Sequence, residues 1–192
     1  TGVLFLLHID WQMPTGTFER VLAAVYSGTF LSGVVGLFLS RAFPSRLRAR
    51  GEEVLFERIP VYLKALRTEV EQLVFQCVEA TETTAVPDLY LTHLKPFFER
   101  PRNAFWHLLH LHSPREKLLL QIRGQQRFLS DDEKSATEKI TDLVRKKDDL
   151  DYQFALQGTL KLWLFIHIPL TYSLLVLAVF HLLAVYAYGG GN

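Results

Sequence analysis

Residues 162–188 read LWLFIHIPLTYSLLVLAVFHLLAVYAY, a run without a formal charge. An apolar run of more than about 18 residues is long enough to cross the hydrocarbon core of a bilayer, about 30 Å thick. Two histidines interrupt it, His167 and His181, fourteen positions apart. Fourteen helical steps of about 100° leave a residual of roughly 40°, so both imidazoles project from one face. With a rise of about 1.5 Å per residue they stand roughly 21 Å apart along the axis. An ionisable side chain within a bilayer is expensive, which makes each a functional candidate by default. Leu170, Leu174 and Ala178 continue the stripe between them, and Pro169 leaves the carbonyl of Phe165 without its helical donor. Thr171 or Ser173 is placed to bond locally.

The remaining composition separates into two kinds of chain. Of 192 residues, 21 are Lys or Arg and 20 are Asp or Glu, a net charge of +1. Outside 41–161 the charged residues are Asp10, Glu19 and Arg20 alone. That segregation predicts membrane segments flanking a soluble insert. The near-neutral balance offers no nucleic-acid footprint. A single cysteine, Cys77, excludes an internal disulfide and a multi-cysteine metal site, and no CxxCH is present for covalent haem attachment.

A first complete span is expected over 18–40, with nineteen charge-free positions at 21–39. It is rich in small residues: Gly28, Gly33 and Gly36, with Ala24, Ser27 and Ser32. Such residues let a neighbouring helix approach closely, or open a groove for a flat cofactor. The opening residues 2–8, GVLFLLH, read as the tail of a hydrophobic helix whose larger part lies upstream. Arg41, Arg46, Arg48 and Arg50 mark the cytoplasmic end of the first span by the positive-inside rule. Arg145, Lys146, Lys147 and Lys161 mark the cytoplasmic entry of the last. Trp11, Trp163, Tyr186 and Tyr188 suit an interfacial aromatic belt. The expected architecture is all-α: a transmembrane helical bundle with a cytoplasmic helical insert. Residues 1–44 hold the end of an upstream helix, a short external loop and one full span. The insert occupies 45–158, and the C-terminal span 159–192.

Within the insert, Pro60 suits a first helical turn, followed by apolar residues from Val61 to Val78 with approximate helical periodicity. Residues 81–87 form a break, and 97–120, punctuated by Pro101 and Pro114, suggest short helices. Ser130-Asp131-Asp132-Glu133 is a capping box with acids at the positive helix end. The helix it starts turns Ala136, Ile140, Leu143, Val144, Leu150 and Phe154 inward and runs on into the last span.

His8 completes the set. With the upstream helix running outward, His8 and His181 fall at comparable depth near the external side, where they would clamp one haem iron. His167, nearer the cytoplasm, requires a partner about fourteen residues before His8. His107, His110 and His112 have no carboxylate or cysteine at a familiar metal-ligand spacing, so a satisfied histidine cluster at the membrane surface is the preferred reading. His93 reads as an ordinary core or surface position.

These residues carry a likeness. His167-Ile168-Pro169-Leu170-Thr171 through His181 resembles the ligand helix of integral-membrane dihaem cytochromes b, including ferric-reductase-like and respiratory-complex members. Gly33-Val34-Val35-Gly36, Arg41-Ala42-Phe43-Pro44 and the stretch from Trp163 to Pro169 are similar to a group of bacterial membrane cytochromes. The resemblance covers both membrane segments, about a third of the chain. It implies transmembrane electron transfer through haem b with axial ligands His8, His167 and His181, as a subunit of an oxidoreductase in the bacterial inner membrane. Two haems are implied, the inner one lacking a ligand in this sequence. Implied partners are the lipid bilayer, quinone or other redox subunits, and a larger membrane complex. The alternatives are a non-redox anchor or assembly subunit whose insert binds a partner, and a transporter using the same histidines as proton relays.

Overall fold

The computed structural model describes residues 15–49, 54–81, 85–99, 113–125 and 129–188. Every element among them is helical. In chain order they are α1 (Thr17–Arg48), a 3-10 turn (Phe56–Arg58), α2 (Ile59–Thr81), α3 (Ala85–Leu89), a π turn (Tyr90–Leu94), α4 (Lys95–Phe98), α5 (Ser113–Gln125) and α6 (Asp131–Tyr188). The chain divides into two compact units, Thr1–Ser45 with Thr159–Asn192, and Arg46–Gly158.

The unit Arg46–Gly158 holds the larger core. Val70, Val74 and Cys77 of α2 meet Val86 and Leu89 of α3, Leu118 and Ile122 of α5, and Ile140, Leu143 and Val144 of α6. Val61 and Val78, although in phase with the apolar pattern of α2, are exposed. The π turn has a local cause. Pro96 carries no N–H, so its turn of the helix widens, and the Lys95 N–H reaches the Tyr90 carbonyl five residues back. The capping box at the start of α6 forms as expected: the Ser130 N–H donates to Glu133 Oε2 at 2.8 Å, and the Glu133 N–H to Ser130 Oγ at 3.4 Å. A second cluster joins Ile59, Leu63 and Leu150, where the rings of Phe56 and Phe154 stack at 4.9 Å. One turn apart on α6, Gln153 accepts from the Val54 N–H and Gln157 donates to the Val54 carbonyl, each at 2.8 Å. Both main-chain groups of that residue are thereby satisfied. Lys147, in the basic run expected to mark the cytoplasmic entry of the last span, is fully buried and paired with Asp151.

At the edge of this core the Tyr90 hydroxyl donates to Glu71 Oε1 at 2.9 Å, and Arg67 Nε donates to the same oxygen at 2.9 Å. The Arg67 bond, and then the Tyr90 bond, hold the Glu71 carboxyl below the usual range. Burial, and then the bond to Glu71, push the Tyr90 phenol up to about 12. Tyr90→Phe is expected to cost about 1 kcal/mol near pH 7, the worth of one hydrogen bond. The depressed Glu71 contributes stability above its unfolded pKa of about 4.3, lost as pH falls through its folded value. The raised Tyr90 contributes below its unfolded pKa of about 10, lost as pH rises toward its folded value. Denaturation of the two proteins across pH should therefore show a gap that closes at both ends.

The unit Thr1–Ser45 with Thr159–Asn192 is built differently. α1 and the C-terminal part of α6 are each long and apolar enough to cross a bilayer, and of their most apolar windows only 6% and 0% of residues are buried. A core helix of a soluble domain would be covered on most sides. Here Leu31, Val34, Phe38, Phe165, Leu175 and Leu182 all face outward. The first helix runs past residue 40 through Arg41 and Pro44 to Arg48 without interruption.

Candidate functional site

Within this unit α1 and α6 pair antiparallel, because contacts that climb α1 descend α6. Along the apolar part of α6 the covered residues are Trp163, His167, Leu170, Leu174, Leu177 and His181, spaced four, three, four, three, four. This is a heptad seam, the phase that keeps one narrow stripe against a partner helix. α1 answers with a broader covered stripe, from Leu22 and Ala23 through Ser32 and Gly33 to Gly36 and Leu39, and Phe18, Ser32, Gly33 and Gly36 are its residues that face the α6 side chains. His167 and His181 are thus two heptads apart at equivalent positions of one seam. Leu177, and not Ala178, lies between them on the covered side; Ala178 is exposed.

The inner part of the seam is closely packed. A Cβ at Gly36 would lie 1.9 Å from Cζ2 of Trp163, so the indole rests directly on the glycine backbone. Trp163 Nε1–H donates to the Ser32 carbonyl at 2.9 Å. Of the residues expected in an interfacial belt, Trp163 packs in the seam, Tyr186 and Tyr188 stand 89% and 88% exposed, and Trp11 lies outside the described residues. The Trp163 ring stacks on the His167 imidazole, with centroids 5.1 Å apart and planes at 19°. His167 Nδ1 lies 3.0 Å from Ser32 Oγ, and a Cβ at Gly33 would meet His167 Cε1 at 3.8 Å. Thr171 Oγ1–H donates to the His167 carbonyl at 2.9 Å, the local bond expected beside Pro169.

The outer part holds His181. The His181 imidazole stacks on Phe18 with centroids 6.2 Å apart and planes at 18°. Phe18 belongs to the first turn of α1, next to Glu19 and Arg20. That turn is capped by the Gly16 N–H donating to Glu19 Oε2 at 3.4 Å and Arg20 donating to the Thr15 carbonyl at 2.7 Å. His181 is therefore level with the charged end of the span. Phe18 to Ser32 is fourteen residues, matching the step from His167 to His181.

The two histidines share a seam without approaching each other. His8, the expected partner of His181, lies outside the described residues, as do His107, His110 and His112. Ser32 and Trp163 are the partners of His167 that the histidine spacing does not reveal. The signal for them is Ser32-Gly33-Val34-Val35-Gly36, two small residues four apart, which marks a close helix approach.

The donor set suits an iron-bound imidazole on its ligand side. A histidine ligand as a rule has its second ring nitrogen hydrogen-bonded, which fixes ring orientation. His167 has Nδ1 so engaged, leaving Nε2 as the nitrogen to offer. No protein-family model, curated protein or solved structure matches the chain.

Proposed function

We propose that the chain is a membrane-embedded electron carrier that holds haem b through His167 and His181, with His8 as the second ligand beside His181. The observation that carries this reading is the equivalence of the two histidines on one seam, two heptads apart. On each of two charge-free helical faces a bilayer is the natural surrounding, and the step of roughly 21 Å sets one imidazole toward each leaflet. Haem b, when bound, supplies one-electron chemistry, and two axial histidines leave no open position for oxygen or substrate. The chain's own contribution is orientation of the imidazoles, exclusion of water and fixed spacing. The unit Arg46–Gly158, on the cytoplasmic side by the arginine-rich exit of α1, would dock a redox subunit or a quinone-reactive partner. The setting is a bacterial inner membrane and a larger oxidoreductase complex.

The test is a dithionite-reduced minus oxidised spectrum of the full-length protein purified from haem-sufficient cells, alongside His167→Ala and His181→Ala. A b-type alpha band near two haems per chain, reduced to about half by either substitution, is the expected result. A second reading has an observation of its own: Trp163 on Gly36, and His181 on Phe18, are contacts that a simple helix pair also uses. On that reading the chain is a membrane anchor whose soluble unit binds a partner. A folded, colourless protein would establish it over the electron carrier.

A further inference from the structure

Four hydroxyls of α1 find partners in two different ways. Those of Thr29, Ser40 and Ser45 turn back and donate to carbonyls of their own helix, at Val25, Leu37 and Ala42. This is the usual resort of a hydroxyl in an apolar helix. Ser32 does otherwise: its Oγ crosses the seam to His167 Nδ1 at 3.0 Å. Around that bond the Trp163 indole covers one face of the ring.

We propose that Ser32 is the positioning residue of His167, holding its Nδ1 edge so that Nε2 is the nitrogen presented to a cation. The inference rests on the electron-carrier reading for the identity of that cation, but not for the bond itself. A neutral imidazole carries one ring proton and a hydroxyl both donates and accepts. With Nε2–H present, Nδ1 holds the lone pair and Ser32 Oγ–H donates to it. Were Nε2 to ligate a cation, the ring proton would reside on Nδ1 and Ser32 Oγ would accept it. Serine serves both states by rotating one bond; alanine serves neither. The Trp163 bond to this residue uses the Ser32 main-chain carbonyl, so removing the hydroxyl leaves that link between the helices in place.

The experiment uses the full chain, labelled with 15N-histidine in lipid nanodiscs, as wild type, Ser32→Ala and Ser32→Thr, first without haem and then titrated with haemin. Without haem, Ser32→Ala should move the His167 Nδ1 and Nε2 shifts and leave those of His181 in place, while Ser32→Thr stays close to wild type. Unchanged His167 shifts in Ser32→Ala would overturn the proposal. With haemin, Ser32→Ala should weaken one of two sites about 10–100-fold, the usual effect of losing an outer hydrogen bond to a histidine ligand, and Ser32→Thr should restore it. Equal affinity of wild type and Ser32→Ala at that site would also overturn it. Failure of all three proteins to bind haemin would remove the electron-carrier reading, with the shift comparison still deciding the role of Ser32.

Discussion

Lys147→Met, with Asp151 left in place, is expected to destabilise the unit Arg46–Gly158 by about 3–5 kcal/mol, the cost of stripping one partner from a buried ion pair. Lys147 has 0% relative exposure and Asp151 1%. The ammonium bonds Asp151 Oδ2 one turn along α6 and sits 4.2 Å from the centroid of the Phe97 ring. Beside it Asp148, also buried, accepts from Arg115 of α5 at 3.5 Å. Removing the ammonium leaves the buried Asp151 carboxylate without its cation. Removing both charges does not: Lys147→Met with Asp151→Leu keeps the volume apolar and should recover most of the loss, since hydrophobic replacement of a buried pair is often neutral or stabilising. Chemical denaturation of the full chain followed by circular dichroism reads both. A single substitution costing less than about 1 kcal/mol would show that this pair is hydrated in solution.

Gly36→Leu is expected to be the most disruptive change in the seam. The Trp163 indole occupies the space any side chain at residue 36 needs, with three ring atoms within 2.7 Å of the position of a Cβ. To admit leucine the indole must swing away, losing its bond to the Ser32 carbonyl and its stack on His167. Overpacking of about 1–3 kcal/mol, with about 1 each for the bond and the stack, places the total near 3–5 kcal/mol. Gly28 is the control: nothing lies within 4 Å of a Cβ there, so Gly28→Leu should change stability by less than about 0.5 kcal/mol. Trp163 fluorescence and thermal unfolding in detergent, with Trp11 and Trp106 replaced by phenylalanine, distinguish the two. Equal behaviour of the two leucine variants would refute the packing of α1 on α6 around this glycine.

Much of the architecture was legible in the residues themselves. The charge-free runs named both long apolar helices, Ser130 and Glu133 named the start of α6, and the step from His167 to His181 placed both on one face. What escaped the reading has a common physical origin. Periodicity says which side chains share a face, not which face another element covers. Val61 and Val78 are in phase with the core residues of α2 and still point outward. Lys147, in an Arg-Lys-Lys run, had the composition of a charged boundary, but Asp151 on the same helix and Phe97 on another make its burial tolerable. Only the fold brings Phe97 there. Trp163 had the chemistry of an interfacial residue, and a glycine at 36 on a separate helix drew it into the seam.

The same division holds at the histidines. Chain chemistry alone determined that two imidazoles lie fourteen residues apart in an apolar helix, on roughly one side of it. Which side of α6 is covered follows from its packing on α1: the covered stripe takes in Leu177 with His167 and His181 and leaves Ala178 exposed. Which nitrogen of His167 is engaged, and by which hydroxyl, was decided only by tertiary structure, because Ser32 lies 135 residues away along the chain and meets the imidazole only when the two helices pack.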